Sequence, residues 1–252
     1  MQFRLINDPT TMAQEAAEDG ARTLRQALAA RGEAVAVMAT GMSQLGMLEA
    51  LARAPSIDWS RVTVFHLDEY IGLPSTHPAS FRRYLRERFL AHLPAQPSFI
   101  PIDGDATDID DERARLNRLL DDRQIDLCFA GIGENGHLAF NDPPADFQTR
   151  DSYIEVTLDG DCRHQQFAEG WFSTPNDVPA RAISMSIRRI MHSKRLLLLA
   201  SGQRKADALR RAIEGPVTPA CPASIIQRHP DCTVYLDSAA ASSLRDPPRP
   251  VN

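Results

Sequence analysis

The 252-residue chain reads as an α/β protein with a mostly parallel central sheet covered by helices on both faces. Three observations predict this class. Short apolar runs alternate with helix-length amphipathic segments from one end of the chain to the other. The runs are apolar throughout instead of alternating with polar residues, as strands buried on both faces require. Between Asp126 and Pro144, the apolar run Leu127 to Ala130 passes straight into Gly131, Gly133 and Gly136, followed by His137 and Asp142. Ligand sites in open α/β sheets form at that end of a strand.

Taken in order, Gln2 to Ile6 has the alternation of a short strand. Thr11 with Gln14 resembles a capping box, and Met12, Ala16, Ala17, Leu24 and Leu28 keep helical spacing up to a stop at Gly32. Ala34 to Ala39 is a second strand, leading through Thr40, Gly41, Met42 and Ser43 into a helix with Leu45, Leu48 and Leu51 on one face. Val62 to Leu67 is a third, ending in Asp68-Glu69-Tyr70 and a turn-rich stretch to His77. Pro78 suits the first position of a helix that runs to about Leu93. Phe99 to Ile102 follows two prolines, and a charged helix spans Ile109 to Arg123. Further on, Tyr153–Leu158, Ile183–Ile187, Leu196–Ala200 and Thr233–Leu236 read as strands. Cys162–Glu169, Gln203–Ile213, Pro222–His229 and Ser238–Leu244 read as helices. No repeat, low-complexity block or linker interrupts this pattern. Residues 1–244 are therefore expected to form one domain, with the Pro-rich stretch 245–252 a loose tail.

A formal net charge of −5 argues against a general affinity for nucleic acid or anionic membranes, but leaves room for a small anionic substrate held by local cations. No apolar run is long enough to span a membrane, and the opening MQFRLINDP lacks the apolar core of a signal peptide, so a cytoplasmic location is expected. The four cysteines form no C-x-x-C pair, and buried reduced thiols are expected in place of disulfides or zinc. Nothing in the sequence fixes the oligomeric state; a homo-oligomer is compatible with it.

Several groups have the residue types that carry chemistry. Gly131, Gly133 and Gly136 match G-x-G-x-x-G, but a dinucleotide site needs a long helix after the last glycine, and Pro143 and Pro144 end any helix there. Such glycines instead let backbone approach a substrate closely. Thr40-Gly41-Met42-Ser43 stands between a strand and a helix start, where free N–H groups and a hydroxyl form an anion pocket; the alternative is a plain N-cap at Ser43. Ser201-Gly202, with Lys205 close behind, repeats the pattern. Asp68 and Glu69 lie just past a strand, as do His137 and Asp142, so all four are placed at one sheet edge. His66-Leu67-Asp68 lacks a strong metal-ligand spacing, and no metal is expected. A phosphate cradle, a carboxylate base and a histidine with its own carboxylate suit proton transfer on a phosphorylated sugar, which needs no redox cofactor.

Three stretches carry a specific resemblance. Leu67-Asp68-Glu69-Tyr70-Ile71-Gly72-Leu73, then His77-Pro78-x-Ser80-Phe81, then Gly131-Ile132-Gly133-x-Asn135-Gly136-His137-Leu138-Ala139-Phe140-Asn141-Asp142-Pro143 resemble the glucosamine-6-phosphate deaminase/isomerase family over nearly the whole chain. The related 6-phosphogluconolactonases have Asp-Glu-Arg where this chain has Asp68-Glu69-Tyr70, and lack the Phe-Asn-acid sequence of Phe140 to Asp142. The resemblance implies a Rossmann-like three-layer fold. It also implies conversion of an amino-sugar 6-phosphate, glucosamine 6-phosphate or its galactosamine epimer, to a keto-sugar 6-phosphate and ammonia. The acid matching Asp68 would move the proton between C2 and C1, the histidine matching His137 would open the ring, and the acid matching Asp142 would tune that histidine. Asn135 stands where members have Asp or Asn. Thr40, Gly41, Met42, Ser43 and Lys205 would hold the phosphate, with Glu69, Gly133 and Gly136 beside the substrate. Two departures stand out. Asp142 is one methylene shorter than the family's usual Glu, and the family's Arg before a Phe-Phe pair is replaced in Glu169-Gly170-Trp171-Phe172, leaving Arg163 or His164 as the expected substitute. Basic residues that bind an allosteric sugar phosphate in hexameric members have no match at Ser152 and Ile154. The alternatives kept open are a sugar-phosphate lactonase and a non-catalytic sugar-phosphate sensor.

Overall fold

Seven parallel strands form the centre of the computed structural model, which describes residues 1–249; of Met42 only the backbone is described. In chain order the elements are β1 (Gln2–Leu5), α1 (Pro9–Arg31), β2 (Ala34–Met38), α2 (Leu45–Ala52), β3 (Val62–His66), β4 (Asp68–Tyr70), α3 (Phe81–Arg88), β5 (Ser98–Phe99), α4 (Ile109–Leu120) and β6 (Leu127–Gly131). There follow β7 (Tyr153–Thr157), α5 (Gly160–Ala168), β8 (Arg181–Met185), α6 (Ile187–Met191), β9 (Arg195–Ala200), α7 (Ala206–Glu214), β10 (Cys232–Leu236) and α8 (Ser238–Ala241). The large sheet has the order β1-β10-β9-β6-β2-β3-β5. Its inner strands are mostly apolar and mostly buried, as the runs of Val, Leu and Ala predict.

Pairing brings four strand ends together. Val37 of β2 lies opposite Cys128 of β6, Gly131 of β6 opposite Leu199 of β9, and Met38 of β2 opposite His66 of β3. The chain therefore leaves β2, β3, β6 and β9 at one rim, carrying Thr40, Leu67, Ile132 and Ser201. β2 and β6 are neighbours although the chain leaves them toward opposite sides of the sheet, and that divergence opens a crevice above them.

A second sheet, β4-β8-β7, is antiparallel and stands beside this rim. The stretch Asp68-Glu69-Tyr70, expected as loop, is its first strand: Asp68 pairs with Ser184, Glu69 with Ile183 and Tyr70 with Ala182. Three residues leave little periodicity to read. A separate apolar cluster sits around this sheet, with the Tyr70 ring 5.1 Å from both Phe81 and Phe140.

Local capping corrects several boundaries. α1 is capped by Asp8, whose Oδ2 accepts from the Thr11 N–H at 2.7 Å, with Pro9 at its first turn; Thr11 is inside the helix. Gly32, at φ 79°, ends it by returning its N–H to Leu28 O, a conformation that favours glycine. α3 begins after Ser80 and not at Pro78. The strand expected over 183–187 occupies 181–185, and Ser186 caps the short helix α6 that follows. All four cysteines are free and buried. Of the expected tail, residues 245–249 form no helix or strand, the Arg245 N–H donates to Glu214, and residues 250–252 lie outside the described residues.

Candidate active site

The crevice at the rim holds a cavity of about 640 Å³. Six segments wall it: the turn after β2, the Leu67–Asp68 junction, Phe81 at the start of α3, the Gly131–Phe140 segment, the inner face of α5 with Glu169 at its end, and the turn from Ser201 to Lys205.

Leu67 joins the two sheets. Its N–H donates to Met38 O at the end of β2, and its carbonyl accepts from the Met185 N–H of β8 at 2.6 Å. Asp68, the next residue, is thereby delivered to the cavity wall, with only 8% of its surface exposed. Burial raises its carboxyl to about 8, and the neighbouring acids Glu69 and Glu169 push in the same direction. Such an acid sits near neutrality, where a group that must both take and return a proton works best.

Strand alternation turns the next side chain away. Glu69 was expected beside the substrate. It is instead fully buried on the far face, accepting from Ser80 Oγ at 2.9 Å, from the Arg82 N–H at 3.0 Å and from the Phe81 N–H, with the Arg82 guanidinium at 3.5 Å. It holds the start of α3 and takes no part in the cavity. His66 is likewise occupied: its Nε2 accepts from the Ile102 N–H at 2.8 Å, and burial lowers its pKa to about 3.

The glycine-rich turn is closed by its own backbone. The Gly133 N–H donates to His137 O and the Gly136 N–H to Gly133 O, both at 3.0 Å. Asn135 Oδ1 accepts from the His137 N–H at 3.0 Å. A Cβ at Gly133 would overlap the His137 ring, so only glycine lets the imidazole lie across the strand exit. Gly133 and His137 face the cavity; Gly136, at φ 96°, shapes the turn from behind and, contrary to expectation, does not line the cavity.

His137 Nδ1 lies 3.1 Å from Asp142 Oδ1, at hydrogen-bond distance but with its N–H off the ideal line. Asn135 Nδ2 donates to the same oxygen at 2.9 Å, and the Asp159 N–H donates to Asp142 Oδ2 at 2.9 Å. Burial by itself pushes Asp142 upward. The contact and charge of His137, with the donors from Asn135 and Asp159, outweigh it and hold the carboxyl below its ordinary value. Asn135 and Asp142 thus stand behind the histidine and do not themselves line the cavity.

Two cations line the cavity. Lys205 is one of them, and Thr40, Gly41 and Ser43 line the same cavity. Among the described residues Ser43 makes no N-cap bond, and its hydroxyl accepts from Gln44 Nε2 at 3.2 Å. Burial lowers the pKa of Lys205. Arg204, overlooked in the sequence, also lines the cavity and pairs with Glu134 at 2.8 Å. Arg163, one expected substitute cation, faces away: its guanidinium donates to the carbonyls of Val178 at 3.1 Å and Pro175 at 3.2 Å. Those carbonyls lie across the outer side of α5, and a side chain leaving the helix in that direction cannot reach the crevice.

The structure adds Glu134, Gln165, Gln166 and Glu169 to the wall. Glu134 was inside the recognised motif, and Arg204 adjoins Lys205, so both had a signal by proximity. Glu169 stood in the stretch that replaces the family's Arg, while Gln165 and Gln166 had no such signal, since their placement depends on how Asp159 caps α5 through the Cys162 N–H at 2.6 Å.

The chain matches the model of the family described as glucosamine-6-phosphate isomerases/6-phosphogluconolactonase over residues 7–235. A glucosamine-6-phosphate deaminase of Exiguobacterium sibiricum is 39% identical over 235 residues, covering 93% of this chain and 91% of its own length. One of Bacillus cytotoxicus is 37% identical over 226 residues, covering 90% and 84%. A solved monomeric glucosamine-6-phosphate deaminase superposes with a TM-score of 0.89 at 34% identity, covering 96% of this chain and all of its own. A 6-phosphogluconolactonase from Shewanella baltica shares the fold, with a TM-score of 0.77 at 23% identity over 94% of this chain and 97% of its own.

Proposed function

The chain belongs to the glucosamine-6-phosphate isomerase/6-phosphogluconolactonase family, and from that premise we propose that it is an amino-sugar-phosphate deaminase. The reaction is hydrolysis of glucosamine 6-phosphate, or its galactosamine epimer, to the keto-sugar 6-phosphate and ammonia. One observation carries the reading: Asp68, His137, the Thr40–Ser43 turn and Lys205 line the same cavity, with Asp142 directly behind the imidazole.

The phosphate end is assigned to the backbone of Thr40–Ser43, the Ser43 hydroxyl, Lys205 and Arg204. Arg204 then takes the place of the cation that Gly170 and its neighbours no longer provide. Acids beside these cations, Glu134 and Glu169, give the cavity both signs of charge, which fits a substrate bearing an ammonium group as well as a phosphate.

With Asp142 on Nδ1, the neutral imidazole of His137 presents Nε2 as an acceptor. It takes the anomeric hydroxyl proton as the C1–O5 bond breaks, and the proton passes to O5. Asp68 removes the C2 proton of the open aldehyde while the C2 ammonium gives a proton to the C1 oxygen, leaving a neutral enolamine with a carbon–carbon double bond between C1 and C2. It returns the proton to C1, which leaves an iminium at C2. Water adds there and ammonia departs, so one water is consumed and one ammonia released. Asn135 positions both His137 and Asp142 and does not touch the substrate. Residues 1–244 act as one unit in this scheme, located in the cytoplasm, and each assigned group comes from a single copy of the chain.

Purified protein should release ammonia stoichiometrically from glucosamine 6-phosphate or galactosamine 6-phosphate. Release from neither, or faster hydrolysis of 6-phosphogluconolactone, overturns the assignment. Tight binding of the sugar phosphates without turnover would make the chain a sensor.

A further inference from the structure

Cys162 is a buried thiol that the proposed reaction leaves unused, yet it stands directly behind the histidine. It occupies the first turn of α5, and its N–H is held by the capping carboxylate of Asp159. Its Sγ, an oxygen of Asp142 and a ring nitrogen of His137 lie within 4.8 Å of one another. Cys162 is 1% exposed and His137 6%, so two of the three groups are withdrawn from bulk water. The imidazole Nδ1 is buried, 3.1 Å from Asp142 Oδ1 with its N–H off the ideal line, and makes no other hydrogen bond among the described residues.

We propose that His137, Asp142 and Cys162 bind a zinc-type divalent cation, and that the bound ion switches off the imidazole. The donor set of one thiolate, one imidazole and one carboxylate favours zinc over magnesium or calcium. Zinc bonds of about 2.0 to 2.3 Å place tetrahedral ligands roughly 3.3 to 3.8 Å apart. Closing the triad to that spacing takes movements of about 1 Å, the scale of a side-chain adjustment at Cys162. Water completes the shell.

The chemistry balances without a redox step. The thiol gives its proton to solvent as the sulfur–metal bond forms. The ion takes the Nδ1 lone pair, so the ring's remaining proton resides on Nε2. That nitrogen is then a donor only and can no longer accept the anomeric proton. Asp142 is drawn from the imidazole to the ion at the same time. Metal binding stands on the triad alone, while its effect on turnover rests on the deaminase reading.

The test uses the full chain and cobalt(II) as a spectroscopic probe. Cobalt should bind one to one, giving sulfur-to-metal charge-transfer and visible ligand-field bands, and zinc should displace it. Cys162→Ser should lose the charge-transfer band and bind zinc at least about tenfold more weakly by chelator competition. Cys221→Ser, a change at another buried thiol, should keep the band. Stoichiometric zinc should abolish ammonia release by wild type but not by Cys162→Ser, whose metal-free turnover should match wild type. Absence of the band in wild type, or its persistence in Cys162→Ser, overturns the site. Should Cys162→Ser fail to fold, zinc-edge X-ray absorption on wild type decides: one sulfur with nitrogen and oxygen ligands supports it, and a shell without sulfur overturns it. Cobalt bound through Cys162 in a chain that releases no ammonia keeps the site and sinks the deaminase reading. A bound metal that leaves turnover intact sinks the switch.

Discussion

Asp68→Asn separates the chemistry of this residue from its place in the fold. The amide has the same shape as the acid but no proton to exchange with carbon. Turnover should fall by two to four orders of magnitude, the usual contribution of a positioned acid–base group, while binding of the phosphate-bearing substrate persists. Stability should move the other way. The folded-state carboxyl is raised to about 8 from its ordinary 3.8, first by burial and then by Glu69 and Glu169. Between those values the folded chain keeps a proton that the unfolded chain has released. Each pH unit in that window therefore subtracts about 1.4 kcal/mol from wild-type stability, a loss complete once pH exceeds the folded value. The variant lacks this term. Urea denaturation of both chains at pH 5, 6, 7 and 8 should show the difference shifting in favour of Asp68→Asn by roughly 3 to 4 kcal/mol across the series. Glu69 and Glu169 titrate in both chains, so the difference isolates Asp68. In wild type, kcat/KM should rise with pH up to about 8 as the base form appears. Parallel stability profiles would refute the raised carboxyl, and near-normal turnover in Asp68→Asn would refute the base.

His137→Ala should lose at least about a hundredfold in turnover of the cyclic substrate, yet recover part of it with a substrate held in the open-chain form. An equal loss on both would mean that the imidazole acts after ring opening. Lys205→Met should raise KM by roughly ten- to a hundredfold with little change in kcat, the scale of a lost hydrogen bond to a charged group. Arg204→Met should do less, about three- to tenfold, because that side chain is 61% exposed and already paired with Glu134. A fall in kcat with KM unchanged in either would move the phosphate elsewhere. Gly133→Ala should leave a folded chain by circular dichroism but cut turnover at least about a hundredfold, since the new methyl takes the space of the His137 ring. Normal turnover would show that the ring has another productive position.

The large sheet was legible because its strands are buried on both faces and announce themselves as unbroken apolar runs such as Ala34–Met38 and Leu196–Ala200. In the small sheet β7 and β8 were legible, the latter shifted by two residues, but β4 was not. β4 is three residues long, and its partner β8 lies more than 110 positions further along the chain, so pairing that only tertiary contact reveals decides its state. The same cause misplaced Glu69. Once Asp68-Glu69-Tyr70 is a strand, adjacent acids must point to opposite faces, and one becomes a cavity wall while the other anchors α3.

At the site itself, what a local motif specifies was readable and what distant packing specifies was not. Asn135, His137 and Asp142 are bound to each other within eight positions of sequence, so their spacing carried the geometry. Arg163 failed for the opposite reason: its direction is decided by carbonyls at Pro175 and Val178, beyond the helix that bears it. The acidity of Asp68 follows from the same logic. Leu67 is bonded to β2 on one side and β8 on the other, so the next residue has no freedom to turn toward water. Solvation that would keep an aspartate near its ordinary acidity is withheld by the junction of two sheets, and the charge of the base is costly for that architectural reason. Loosening the junction, as a shortened side chain at Leu67 would, should lower the acid's pKa and shift the rising limb of kcat/KM to lower pH with Asp68 itself intact.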